Sequence, residues 1–180
     1  MGKPEAPQPV KLICGILASD QQCLEAAQKA LRDLFGPTDF ISPVWPFTQT
    51  DYYNQQTGPA IVRNFLAFER LIDPGRLAAV KHQTNALEQQ LAEQLQTPWP
   101  RPVNLDPGYL EPAKLVLAST KNFSHRIYIG QNIYAEVTLM FHKGGWRSFE
   151  FTFPDFRGPL YHDFLNQVRD LSSSYMGVST

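Results

Sequence analysis

The chain has 180 residues, 43% of them hydrophobic, 12% aromatic and 18% charged, with a net charge of −1 and a pI near 6.4. That apolar content excludes wholesale disorder, and the length suits one domain. The balanced charge argues against an overall basic nucleic-acid binder, and no run approaches the ~18–20 apolar residues of a membrane span.

Met1–Pro9 is polar and proline-rich with no apolar leader, which points to a flexible tail over residues 1–9 ahead of a single α+β domain over 10–175. Cys14 and Cys23 lack Cys-x-x-Cys spacing, so two buried free thiols in a reducing cytoplasm are expected, with no structural zinc. Val10–Ala18 (VKLICGILA) is a continuous apolar run and predicts a buried strand. Ser19, with Gln22 three residues on, predicts an N-cap and capping box. The helix carries Leu24, Ala27, Leu31, Leu34 and Phe35 inward and ends at Gly36-Pro37. Phe40–Phe47 is extended but interrupted by Pro43 and Pro46, which confines it to a sheet edge. Asp51–Gly58 has loop composition.

Ile61–Leu71 fits either strand or helix by pattern; Val62, Phe65 and Phe68 favour a strand. Asp73-Pro74-Gly75 then starts a helix, with Asp as cap and Pro in the first turn. Its stripe Leu77, Val80, Thr84, Leu87, Leu91 fits a core face better than a dimer seam, and Lys81, Glu88 and Glu93 are expected on the outer face. Five prolines fall in residues 97–112. Val103-Asn104-Leu105 between them predicts a short strand, followed by a turn at Asp106-Pro107-Gly108. Lys114–Thr120 predicts another strand. Tyr161, Phe164, Leu165, Val168 and Leu171 mark the inner face of a last helix, with Asp155 and Arg157 at its entry.

Residues 124–153 contain three alternating runs. Placing His125, Ile127 and Ile129, then Ile133, Ala135, Val137, Leu139 and Phe141, then Phe149, Phe151 and Phe153 on one buried face selects three-residue loops at Gly130-Gln131-Asn132 and Lys143-Gly144-Gly145. This register sets Ile129 against Ile133, Ile127 against Ala135 and Val137 against Phe151. On the other face it aligns Arg126, Glu136 and Thr152, sets Ser124, Thr138 and Glu150 in the next row, and puts Tyr128 opposite Tyr134. Two meanings compete for this polar face. One is a solvated sheet surface whose ion pair contributes at most ~1 kcal/mol. The other is a binding floor: a fixed guanidinium for an anion, a carboxylate that holds or deprotonates a ligand, and tyrosines that stack on it.

Two further polar clusters lie nearby. Ser119 to Arg126 concentrates hydroxyls with Lys121, His125 and Arg126. Lys121 and Arg126 suit a phosphate or carboxylate, and His125 suits proton transfer, although its core-side parity favours a structural histidine. A plain surface loop is the competing account. Asn104 and Asp106 follow a short strand, where Asp106 either caps a turn or acts as a base or metal carboxylate. The candidate catalytic residues are thus Glu136, Asp106 and His125, and the candidate ligand-binding residues are Lys121, Arg126, Tyr128, Tyr134, Thr138 and Asn104. No metal site or cofactor is indicated. The phosphate-binding loop, the dinucleotide-binding glycine pattern and the Gly-x-Ser-x-Gly elbow are absent, and the four histidines lack zinc spacing.

The segments SPVWPFTQTDYY (Ser42–Tyr53), LIDP (Leu71–Pro74), VNLDPGYL (Val103–Leu110), KLVLASTKNFSHRIYIGQNIYAEVTL (Lys114–Leu139) and FTFPDFR (Phe151–Arg157) together resemble the bacterial domain-of-unknown-function family numbered 4416, from about Val10 to about Leu171. The resemblance implies a single domain and carries no catalytic residues. Some members bear the loose label "GTP-binding protein", which no motif of this chain supports.

The element order predicts an α+β fold, a ferredoxin-like β-α-β-β-α-β core extended by an antiparallel meander and a C-terminal helix. A mixed α/β sandwich of different strand order is the alternative. Three functions fit: binding of, or catalysis on, a small anionic ligand of nucleotide or other phosphate type; an RNA-binding module using sheet aromatics, against which Glu136 and Glu150 argue; or a protein-interaction factor. No membrane association is expected.

Overall fold

The computed structural model describes residues 2–48 and 54–176, with side chains at 54, 55 and 172–176 left aside. In chain order the elements are β1 (Val10–Ala18), α1 (Gln21–Phe35), β2 (Thr38–Ile41), β3 (Trp45–Pro46), the single turn α2 (Asn54–Thr57), β4 (Val62–Ile72), α3 (Leu77–Gln94), β5 (Val103–Glu111), β6 (Lys114–Ser119), β7 (Ile127–Gly130), β8 (Ile133–His142), β9 (Gly145–Ser148) and α4 (His162–Met176). Residues 2–9 carry no regular structure and are exposed, and part of the loop expected at 51–58 lies outside the described residues.

One antiparallel sheet holds the nine strands of the described residues, in the order β2-β4-β1-β5-β6-β8-β7, with β3 also on β4 and β9 also on β8. The first four positions are the ferredoxin-like arrangement that the element order predicts, and β6, β8 and their partners extend it. β1 is buried along its whole length because helices cover both faces of the sheet. Leu12, Cys14 and Ile16 pack with Leu24, Leu31 and Val80 of α1 and α3, whereas Ile13 packs with Phe164, Leu165 and Val168 of α4. A strand covered on both sides has no polar parity, which is why β1 reads as an unbroken apolar run. Each such buried aliphatic side chain contributes about 1.5–3 kcal/mol.

Residues 62–72 form β4, as their β-branched and aromatic content favoured. The Asp73 side chain caps Gly75 N–H at 2.7 Å, and a 3-10 turn over Pro74–Arg76 leads into α3. Pro46 pairs with Val62 on β4, and Pro43 lies in the break between β2 and β3, positions that tolerate a missing N–H.

Several expectations need correction. The α1 cap is Asp20, whose carboxylate accepts the Cys23 N–H at 2.8 Å; buried Ser19 instead donates its hydroxyl to the Cys23 sulfur. Lys81 and Glu88 do not face solvent; they share the inner face of α3 with Val80, Thr84 and Leu91. Asp106-Pro107-Gly108 is not a turn: β5 runs straight through it.

The hairpins are also tighter than parity suggests. Gly130 pairs with Ile133 and His142 with Gly145, so each loop has two residues, Gln131-Asn132 (φ 53° and 60°) and Lys143-Gly144 (φ 49° and 78°). Two successive positive φ angles match the twist of a two-residue hairpin better than the three-residue loops do. Ile127 opposite Ala135 and Tyr128 opposite Tyr134 hold as expected, but a bulge after Tyr128 displaces the Ile129–Ile133 pair. The single buried apolar face does not form: Ile127 is 72% exposed on the edge strand, and Phe149, Phe151 and Phe153 lie beyond β9 rather than in it. A second bulge, between Leu115 and Val116, divides the apolar residues of β8. Ile133 packs with Leu77 and Val116 near α3, while Leu139 packs with Trp146 and α4.

Candidate functional site

The site arises where two neighbouring strands part. β5 and β6 are paired only from Gly108↔Leu117 to Glu111↔Lys114. Beyond Gly108, β5 stays with β1 as far as Val103↔Ala18, and β6 stays with β8 as far as Ser119↔Tyr134. Gly108 marks the last close approach: a Cβ there would lie 2.3 Å from the Val116 carbonyl oxygen. The widening gap forms a cleft of about 430 Å³, within the usual size range for small-molecule sites.

Unpaired strand edges leave backbone groups to satisfy, and the sequence supplies the partners. Leu105 N–H donates to Glu88 Oε1 at 2.7 Å, and its carbonyl accepts from Lys81 Nζ at 2.8 Å. Pro107, two residues on and pointing the same way, has no N–H to satisfy. The inward position of Lys81 and Glu88 and the proline inside a strand thus have one cause: α3 replaces the missing half of the β5–β6 ladder.

Three arginines line the cleft, each held by at least one buried carboxylate. Arg63 on β4 is 4% exposed; its Nη1 donates to Asp106 Oδ2 at 3.0 Å and its Nη2 to Asp155 Oδ2 at 3.0 Å. Tyr161 also donates to Asp155 Oδ2, at 3.2 Å. Phe65 and Phe156 lie 4.9 and 5.5 Å from the Arg63 guanidinium. Burial pushes the Asp106 carboxyl up, but Arg63 and Lys81 outweigh it and hold the group below the ordinary carboxylate range. Burial also raises the Tyr161 phenol, which keeps it a hydrogen-bond donor.

Arg101, just before β5, donates Nε and Nη2 to Glu88 Oε2 at 3.2 and 2.7 Å and reaches the Asn104 side-chain oxygen. Burial raises the Glu88 carboxyl despite the opposing charges of Lys81 and Arg101. Arg126, just before β7, donates Nε to Glu136 Oε2 at 2.8 Å and Nη1 to Ser119 Oγ and the Lys121 carbonyl, at 2.9 and 3.0 Å. Glu136 is 3% exposed and also takes the His125 ring at 3.1 Å and the Thr138 hydroxyl at 3.2 Å.

These contacts leave Arg101 Nη1 and Arg126 Nη2 without a hydrogen-bond partner among the described residues. Arg63, Lys81, Arg101, Lys121 and Arg126 give the cleft lining five cations, against the carboxylates Asp106 and Asp155. Glu88 and Glu136 stand behind their arginines. An arginine fixed through Nε by a buried carboxylate has already lost its rotamer freedom, so its remaining N–H groups meet an anion at little entropic cost.

The cleft unites four residues singled out from the sequence: Asn104, Asp106, Lys121 and Arg126. The Arg126–Glu136 pair forms as the register predicts, but in a buried setting, so the estimate for a solvated surface pair does not apply. Glu136 and His125 lie behind the lining. His125 does not face the core; it bonds Glu136 and stacks on Phe151 at 4.3 Å. Thr138 is buried against Glu136. Tyr128 and Tyr134 meet edge to face at 5.5 Å, apart from the cleft lining.

Sequence reasoning missed Arg63, Lys81, Arg101 and Asp155. For Lys81 a signal existed, since it shares the helical face of Leu77, Thr84 and Leu91, as does Glu88. Arg63 and Asp155 are 92 positions apart and carry no local signal of their pairing. Among the described residues, no group of three or more His, Cys, Asp or Glu could hold a metal ion, and no helix is long and apolar enough to cross a membrane.

Fold and site together define an α+β protein with a ferredoxin-like core and a cation-lined cleft opened in its sheet extension. The family model described as a domain of unknown function, DUF4416, matches residues 8–171, and the chain belongs to that family. No curated protein and no solved structure matches it.

Proposed function

We propose that this protein binds a small anionic ligand, bearing a phosphate or comparable group, in the cleft between β5 and β6. The observation that carries this reading is the pair of braced arginines. Arg101 on Glu88 and Arg126 on Glu136 come from opposite sides of the gap, each with a guanidinium nitrogen uncommitted among the described residues. Lys121 and the hydroxyls of Ser119 and Thr120 add donors to the same lining. Glu136 and His125, set behind Arg126, position it rather than act on a ligand, so the reading is one of binding.

Calorimetry with inorganic phosphate and pyrophosphate at low ionic strength tests it. The wild type should bind at least one of them, and Arg126→Gln and Arg101→Gln should each weaken binding about tenfold, the scale of one charge-assisted hydrogen bond. Absence of binding at millimolar concentration removes the reading.

A second reading has one observation in its favour. Phe149 stacks on Phe151 at 5.1 Å, and Phe151 stacks on His125 at 4.3 Å, beside Arg126. Such a series suits the bases of single-stranded RNA. Retention of an oligonucleotide at low salt, lost on Phe151→Ala, would favour it over a small ligand.

A further inference from the structure

The cleft contains a group that a simple anion would not need. Asp106 reaches it with 31% of its side chain exposed, whereas Asp155, on the other arm of Arg63, retains 6%. Arg63 engages Asp106 Oδ2, and no bond from Arg63 engages Oδ1. A fixed carboxylate a few ångströms from a bound anion repels it even in partly screened surroundings, at a cost to binding. That cost is offset only when the ligand offers the carboxylate an N–H or O–H of its own.

The positions of the charges separate two functions. Arg126 and Lys121 belong to the β6 side of the gap, Arg126 being tied to Ser119. Asp106 belongs to β5, beside Asn104 and Arg63. The lining also holds Leu117 and three phenylalanines, Phe47 and Phe156 against Arg63 and Phe153 against Arg126. A ligand that matches all of this has an anionic end, a carbon skeleton able to lie on aromatic side chains, and a hydrogen-bond donor.

We infer that the ligand is a phosphate ester whose skeleton bears hydroxyl or amino donors, as in a sugar phosphate or nucleotide, with the phosphate at Arg126 and Arg101 and a donor group on Asp106. This rests on the anion-binding reading and deepens it. Asp106 then acts as a specificity carboxylate: it contributes nothing to phosphate alone and discriminates among phosphate esters. The low-lying titration of Asp106 fits this role, because the group accepts hydrogen bonds throughout the neutral range.

The test compares ribose 5-phosphate, AMP, phenyl phosphate and inorganic phosphate on the wild-type protein by calorimetry. Phenyl phosphate supplies the anion and an apolar ring but no donor. Ribose 5-phosphate, AMP or both should bind about tenfold more tightly than phenyl phosphate. A gain shared by ribose 5-phosphate places the donor on the sugar, and a gain confined to AMP places it on the base. Asp106→Asn should bring these esters to within about threefold of phenyl phosphate and leave inorganic phosphate as tight as before or tighter, because a repulsion is removed. The inference is overturned if phenyl phosphate binds as tightly as both esters, or if Asp106→Asn weakens all four ligands equally. The wild-type comparison decides the first point even if the variant does not fold. If inorganic phosphate itself fails to bind, the anion site falls as well, which is a distinct result.

Discussion

Arg63 and Arg126 line the same cleft and are braced in opposite ways. Arg63 is held between two carboxylates, one on each Nη, and stacks on phenylalanines, so its charge is balanced inside the protein even though its buried Nε has no partner among the described residues. It joins β4, β5 and the turn before α4. Arg126 is held through Nε and Nη1 by one carboxylate, one hydroxyl and one carbonyl, which leaves Nη2 over. The difference teaches that a buried arginine is not by itself a ligand site. What matters is how far the protein already balances its charge: Arg63 has two carboxylates to itself, whereas Arg126 shares one with His125. Arg63 closes the structure around the cleft, and Arg126 stands ready for what enters it.

The largest effect that would break this comparison comes from Arg63. Arg63→Met should leave Asp106 and Asp155 without their counter-charge in a largely buried setting and cost about 3–5 kcal/mol, read as a lowered urea midpoint at neutral pH. If the midpoint barely moves, Arg63 is not the structural member of the pair.

Glu136→Gln comes next. Arg126 and His125 both lose a charged acceptor, so a loss of about 2 kcal/mol is expected, together with weaker phosphate binding even though Glu136 lies behind the lining. A stability loss with unchanged affinity would show that Arg126 needs no brace.

The smallest effect is in acid. Because Asp106 is held below its ordinary value, the folded state binds that proton less tightly than the unfolded chain does. The stability it contributes is fully present above the unfolded value of about 4 and is lost as the pH falls through the lower folded value. Urea midpoints between pH 5 and pH 2.5 should show this loss, and Asp106→Asn should flatten it. A midpoint in the variant that falls as steeply as in the wild type would assign the acid loss to other carboxylates.

Local pattern alone determined much of this protein. The apolar run of β1, the proline-broken edge at residues 40–47, the capped start of α3 and the ferredoxin-like order follow from periodicity and turn chemistry acting over a few residues. The Arg126–Glu136 pair was also legible from parity, but through a compensation: the loop is one residue shorter than expected, and the bulge after Tyr128 restores the register that brings the two side chains together. Three of the cleft's polar groups, Asn104, Asp106 and Lys121, were recognisable as chemistry without a known location.

Only the tertiary structure decided the rest. A strand continues through Asp106-Pro107-Gly108 because β1 holds it on one side while β6 departs on the other, which no local rule anticipates. Lys81 and Glu88 turn inward because that departure leaves the Leu105 N–H and carbonyl unsatisfied. Arg63 meets Asp106 and Asp155 across 43 and 92 positions of chain. The sequence specifies these charges, but their pairing depends on where the sheet opens, and the sheet opens only once all its strands are in place.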